Sequence, residues 1–338
     1  MQHNSFIRLG FCALLFLNIL QLILWRDTKY CTSSCENEVH LWDQNINFWS
    51  RNYSNETGTP TGCYVVPNYV HFIRFNQPKI SYVDMICILA AFKNQRPDKI
   101  FFHTNFNTSF EGKYWEVLKQ TKGFLNVVTF NYLPIPEEIF GQPLNPSHKH
   151  TIFHAADIAR IQVMIKYGGI IIDHDTYIIK NLNKFRNFEA TINWDDDQYL
   201  GCQIIIAHKD ARFLKLYLES YRVYKPDLWY YNAGERPTTE ILYKMPELIH
   251  RVKVIFGLDN SFINPLFERN WPEWRSLYSL HLLIGHQYML QKKQIAENAY
   301  FPVEFNEENI GYYPNTFREM AYDVYDTAGV TWPKAELN

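Results

Sequence analysis

From residue 65 onward, apolar residues recur in short runs set off by Gly, Pro and polar clusters. Tyr69-Val70-His71-Phe72-Ile73 is rich in β-branched and aromatic residues and predicts a strand. Ser81 to Phe92 predicts a helix, which Arg96-Pro97 ends. Lys99 to His103 predicts a second strand and Phe124 to Phe130 a third. His154 to Tyr167 predicts another helix, stopped by Gly168-Gly169. Ile170-Ile171-Ile172 then predicts a buried strand, and Gly201 to Ile206 the next. Strands alternating with helical patterns predict an α/β fold with a mostly parallel sheet.

The N-terminal pattern is different. Leu9 to Trp25 is apolar apart from Asn18 and Gln21, with Arg8 before it and Arg26 after it. It is near the lower length for crossing a bilayer and lacks a small-residue cleavage site, so it reads as a signal anchor. Three N-x-S/T sequons, at Asn52, Asn55 and Asn107, favour a lumenal body. The organisation expected is a cytosolic tail 1–8, an anchor 9–25 and a lumenal stem 26–62. A globular domain 63–295 and a C-terminal extension 296–338 follow. Type II membrane orientation is expected.

Composition narrows the class. The 338 residues are 47% hydrophobic and 20% charged, as in a globular chain. Lys plus Arg is 33 against 35 for Asp plus Glu, so nucleic acid is not an expected partner. The abundant aromatics, 24 Phe, 23 Tyr and 9 Trp, read first as core and second as ring-lined sugar or nucleotide sites. Of six cysteines, Cys87 and Cys202 adjoin apolar runs and read as buried thiols, while Cys31 or Cys35 with Cys63 is a candidate staple.

The chemistry concentrates at the end of the Ile170–Ile172 strand, where Asp173-His174-Asp175 follows. Ligands of open α/β sheets bind beyond the carboxyl ends of strands. Two carboxylates one residue apart can converge on a hard divalent cation there, with His174 turned to the other side. Such a cation neutralises a leaving diphosphate. Asp157 and Arg160, three apart, share one face of the preceding helix and could hold sugar hydroxyls.

The strings Ala156-Asp157-Ile158-Ala159-Arg160 and Lys166-Tyr167-Gly168-Gly169 through Asp175 resemble the glycosyltransferases whose sugar-binding region contains a DXD motif. These are family 32-like enzymes, with the α-1,4-galactosyltransferase and α-1,4-N-acetylglucosaminyltransferase groups among them. The resemblance covers about residues 65–290, and Val70-His71-Phe72-Ile73 is similar to the family's opening strand. It implies a GT-A fold, a Rossmann-like sandwich that binds a nucleotide sugar. It implies Mn²⁺ or Mg²⁺ on Asp175 with Asp173, and a donor sugar on Asp157 and Arg160. It implies further donor contacts at Phe72, Arg74, Gly168 and Gly169. Residues 63–295 would be the catalytic domain, in the Golgi membrane, and the anomeric configuration would be retained. The donor would be a UDP-sugar ahead of GDP-mannose, and the acceptor a glycan on glycolipid or glycoprotein. Three departures stand out. Ile171 occupies an aromatic position, His174 fills the centre of the acid triplet, and Arg74-Phe75 stands where many members carry a base-stacking Trp.

Other candidates follow from that reading. Trp194 could stack on a sugar, with Asp195 accepting hydroxyls or serving as the base of an inverting transfer. Gln203 could face the site, Tyr231-Asn232-Ala233-Gly234 could form a loop over the donor, and His281 could complete the metal site. The alternative to a working transferase is a catalytically silent, glycan-binding or chaperone relative.

Overall fold

The computed structural model describes residues 41–50, 54–59, 62–107, 109–284, 304–311 and 316–325. The expected anchor 9–25, Cys31, Cys35 and most of the stem and the C-terminal extension lie outside the described residues. Among the described residues, no helix is long and apolar enough to cross a membrane.

Strands β1 (Tyr69–Arg74), β2 (Lys99–Thr104) and β3 (Val128–Tyr132) run parallel. Helix α1 (Tyr82–Ala90) connects β1 to β2, and α2 (Lys113–Gln120) precedes β3. Helix α3 (Thr151–Tyr167) leads into β4 (Gly169–Ile172), which pairs parallel with β1. A turn carries the chain to β5 (Thr176–Ile178), outside the main sheet. Then come β6 (Ala190–Asn193), β7 (Gly201–Ala207), helix α4 (Arg212–Ser220), β8 (His250–Val252), β9 (Ser279–His281) and helix α5 (Thr316–Tyr325). The seven-stranded sheet has the order β8-β6-β7-β4-β1-β2-β3. Only β7 runs against its neighbours, β4 and β6. The sheet is therefore mixed and mostly parallel, as the alternation of strands and helices predicts.

Local chemistry explains the boundaries. Ser81 caps α1 through a reciprocal box with Asp84. All nine α1 residues are buried, so this helix is apolar on every side. Arg96 closes the segment in the left-handed region, φ 51°, just before Pro97. The third strand begins later than its apolar run suggests. Phe124–Val127 forms a short helical turn after Gly123, φ 81°, and only Val128 onward is extended. Helices α1, α2 and α5 pack on one face of the sheet and α3 and α4 on the other, giving two apolar cores.

The glycine pair at the start of β4 is a packing device. Gly169 has φ 110°, and a Cβ there would lie 2.7 Å from the Tyr69 carbonyl oxygen and 2.8 Å from His71 Nε2. Its bare backbone lets β4 pack directly against β1. Nearby, His71 Nε2 is 2.9 Å from the Gly168 carbonyl and its Nδ1 is 3.0 Å from His103 Nε2. Burial pushes both imidazoles down, His71 to about 3 and His103 to about 4, so both are neutral structural groups.

The cysteines follow the expectation in part. Cys87 and Cys202 are buried free thiols, and Cys63 is disulfide-bonded to a partner outside the described residues. The sequon at Asn55 is not an exposed acceptor. Its amide is buried, donating to the Glu247 carbonyl at 2.9 Å and accepting from Glu189 N at 3.1 Å. Asn52 lies outside the described residues, and Asn107 is exposed.

Candidate active site

Strand β4 ends at Ile172, and the following turn delivers both acids of the triplet to the carboxyl end of the sheet. Asp173 N donates to the Gln203 carbonyl on β7, and Thr176 N closes the turn on the Asp173 carbonyl, both at 3.0 Å. Strand β5 then pairs antiparallel with β9, placing Thr176 opposite His281. That register brings a residue 106 positions downstream against the acids: His281 Nε2 lies 3.0 Å from Asp175 Oδ1. The backbone finishes the clamp. Leu282 N donates to the Asp175 carbonyl at 2.9 Å and Ile284 N to Asp175 Oδ2 at 3.3 Å.

Asp173, Asp175 and His281 thus converge, with one ligand atom of each within 4.8 Å of the others. This donor set of two carboxylates and an imidazole suits a divalent ion of the Mn²⁺ or Mg²⁺ type. Burial alone would raise the Asp175 carboxyl, but His281 outweighs it and holds it well below the ordinary range. Burial likewise opposes a charged His281, yet Asp175 raises its pKa. A metal must therefore displace a proton from this pair, so metal affinity falls as pH is lowered.

A second cluster adjoins the first. Arg160, on α3, donates to Asp173 Oδ1 and to the Cys202 carbonyl, and its Nη2 lies 3.8 Å from Asp157 Oδ1. Helical spacing of three sets Asp157 beside Arg160. The Cys202 thiol is 3.8 Å from the same Asp157 oxygen. Burial lifts the Asp157 carboxyl to about 6, Arg160 opposing and Asp173 adding to the rise.

Both clusters open into one cavity of about 950 Å³, at the upper end of ordinary ligand pockets, which span about 300–1,000 Å³. Asp157, Arg160, Asp173, Asp175, Asp195 and His281 all line it. His174 lines it too but stands outside the converging ligand set. Gln203 also faces it, and so does Asn193, which the pattern of the chain did not single out. The buried Asn193 Oδ1 and Gln203 Oε1 have no protein partner. Unpaired buried acceptors in a cavity are suited to ligand hydroxyls.

Four expected donor contacts are not brought here. Phe72 is 1% exposed and stacks on Phe102 inside the core. Arg74 is buried in an ion pair with Asp84 at 2.7 Å, donates to the Lys79 and Gln77 carbonyls and does not line the cavity, so its guanidinium is not presented to a base there. Its neighbours Ile73 and Phe75 reach the cavity instead. Gly168 and Gly169 sit at the opposite end of β4 from the acids, where they serve chain packing.

The remaining expectations are also revised. Trp194 is 7% exposed; its Nε1 donates to the Gln198 carbonyl and Arg251 lies 4.0 Å from its ring centroid. It is no open platform for a sugar. Both oxygens of Asp195 are engaged, one by Val254 N and one by Asn193 Nδ2. Tyr231–Glu235 is helical and not a loop, with its Gly234 beneath the Tyr230 ring.

Comparison with known proteins finds similarities to glycosyltransferases. Residues 83–192 match the family described as "Glycosyltransferase sugar-binding region containing DXD motif". Glucan organizing enzyme 1 of Cryptococcus neoformans var. grubii serotype A is 25% identical over 191 residues, 51% of this chain. The match takes in 49% of that protein, so the chain spans about half the length of this curated relative. Among solved structures, the galactosyltransferase LgtC with donor and acceptor sugar analogs has a TM-score of 0.43 at 12% identity, over 79% of this chain and 98% of that one. The glycosyltransferase GlyE of Streptococcus pneumoniae TIGR4 has a TM-score of 0.42 at 10% identity, over 79% of this chain and 61% of that one. The matched stretch 83–192 holds Asp157, Arg160, Asp173 and Asp175, so the similarity to that family falls on the residues that line the cavity.

Proposed function

We propose that this chain is a metal-dependent, retaining glycosyltransferase that moves a hexose or N-acetylhexosamine from a nucleotide sugar, a UDP-sugar first, to a glycan acceptor. The observation that carries the reading is the convergence of Asp173, Asp175 and His281 at the carboxyl end of β4. We further propose that the catalytic body is lumenal in the Golgi, anchored through residues 9–25.

In this reading Asp173, Asp175 and His281 would hold the divalent ion, whose charge would offset that of the departing diphosphate. Arg160 fixes Asp173 and, with Asp157, takes hydroxyls of the donor sugar. Asn193 Oδ1 and Gln203 Oε1 accept further sugar hydroxyls. The acceptor oxygen forms its bond to the anomeric carbon as the bond from that carbon to the diphosphate oxygen breaks. The proton of the acceptor passes to the departing oxygen, so no separate base is required. Asp195, with both oxygens engaged by Val254 and Asn193, supports the cavity wall and is not that base.

The test is nucleotide release by the purified full chain from UDP-galactose, UDP-N-acetylglucosamine, UDP-glucose and GDP-mannose, with and without Mn²⁺. Metal-dependent release from one donor, lost in Asp175→Asn, supports the reading. Absence of release from every donor, with no metal-dependent thermal shift, points to the silent glycan-binding alternative.

A further inference from the structure

We propose that the aromatic mouth of the cavity is the acceptor subsite, holding a sugar ring of the acceptor glycan against Trp229 and Phe153. The proposal rests on the transferase reading and assigns it a second substrate site. Three large aromatic residues that line the cavity are left partly open: Phe153 is 52% exposed, Tyr199 44% and Trp229 43%.

Their placement is ordered by depth. Phe153, Asp157 and Arg160 are spaced by four and three along α3 and share one face. Phe153 is exposed, whereas Arg160 is 8% exposed and bonded to Asp173. One helix face therefore leads from an open aromatic ring to the buried charges proposed for the donor. A ring bound at the mouth lies on the path to the donor sugar.

Trp229 is held in place without ligand. It meets Phe153 edge-on with centroids 4.8 Å apart and lies 4.9 Å from the His150 ring. Its carbonyl is 3.2 Å from His154 Nε2. The next residue, Tyr230, is pinned by its hydroxyl donating to the Leu200 carbonyl at 2.6 Å and by Gly234, where a Cβ would collide with the ring. A rigid, half-exposed indole loses little freedom when a ligand stacks on it.

The mixed lining of the cavity favours a carbohydrate. Gln198, Asp259 and Asn260 line the same cavity. Apolar surface rimmed by hydrogen-bonding groups marks a ligand groove, and a pyranose offers a C–H face to a ring and hydroxyls to its rim. A lipid tail would call for a continuous apolar wall.

The test is saturation-transfer NMR of lactose, methyl α-galactoside and laminaribiose with the full chain in the presence of UDP and Mn²⁺. The native chain is expected to bind at least one of these sugars. Trp229→Ala and Phe153→Ala are expected to weaken that binding about tenfold, and Trp229→Phe, which keeps a ring, by less. Tyr132→Ala, at a 62% exposed aromatic on β3 outside this cavity, is expected to bind as the native chain does. Nucleotide release into water should also be unchanged in Tyr132→Ala. Equal sugar binding by native and alanine chains, or binding of none of the three by the native chain, overturns the proposal. Sugar binding that depends on Trp229 without nucleotide release from any donor would instead overturn the transferase reading and leave a glycan site at the mouth.

Discussion

Asp157→Asn is expected to stabilise the chain while impairing it. Burial lifts the Asp157 carboxyl from 3.8 to about 6, despite Arg160 at 3.8 Å. The folded chain therefore holds this proton more tightly than the unfolded chain. Stability from this group is full below 3.8, declines as pH rises toward about 6, and stays reduced above it. The difference between 3.8 and about 6 corresponds to about 3 kcal/mol at neutral pH. Asparagine keeps the shape and has no charge to strip of water. The variant should recover up to about 3 kcal/mol at pH 8, a rise in Tm of roughly 5–10 °C, and almost nothing at about pH 4. The assay is thermal unfolding by circular dichroism at both pH values, in EDTA so that no metal alters the carboxylates. Nucleotide release should fall by about 100-fold or more, because a donor contact is lost. A Tm at pH 8 equal to or below that of the native chain would refute the reasoning, as would the same offset at both pH values.

Three further outcomes are expected. Arg74→Leu strands the buried Asp84 carboxylate and should cost about 3–5 kcal/mol in urea unfolding, with UDP affinity of the folded protein unchanged. Gly169→Ala should destabilise by about 2 kcal/mol or more, since φ 110° and contacts of 2.7 and 2.8 Å leave no room for a methyl group; urea midpoints test it. Gln203→Leu removes an unpartnered buried oxygen, so it should unfold no more easily than the native chain. Its nucleotide release should nevertheless fall about tenfold or more, as measured under saturating metal.

Much of the fold was legible because the sheet and helix periods are strong here. The apolar run Ile170–Ile172, with Gly168-Gly169 before it and Asp173 after it, announced both β4 and the end at which the cavity lies. Asp157, Arg160, Asp173 and Asp175 came together because the spacing within α3 and the β4 turn is local. Longer-range chemistry was less legible. His281 was a candidate for completing the metal site, but nothing around it in the sequence pointed to Asp175; their pairing depends on the β5–β9 register across 106 residues. Arg74 was misassigned for the converse reason. Its partner Asp84 also belongs to the α1 capping box, and no period shows that an arginine at a strand end turns inward to it. Phe124–Val127 was read as the start of a strand because a four-residue apolar run does not distinguish strand from helix; after Gly123 at φ 81° it forms a helical turn. Asn193 and the aromatic mouth were illegible because β6, the segment around Trp229 and α3 meet only in three dimensions.

The central claim is that Asp173, Asp175 and His281 hold a divalent ion against a nucleotide diphosphate. Titrating the full chain with Mn²⁺ and UDP, while following free Mn²⁺ by electron paramagnetic resonance, measures this directly. The free-ion signal should fall with one site per chain, more strongly with UDP than without, and less at low pH. The decrease should vanish in Asp175→Asn and His281→Ala. A free Mn²⁺ signal that the native chain with UDP leaves unchanged, or that Asp175→Asn lowers equally, would contradict the claim.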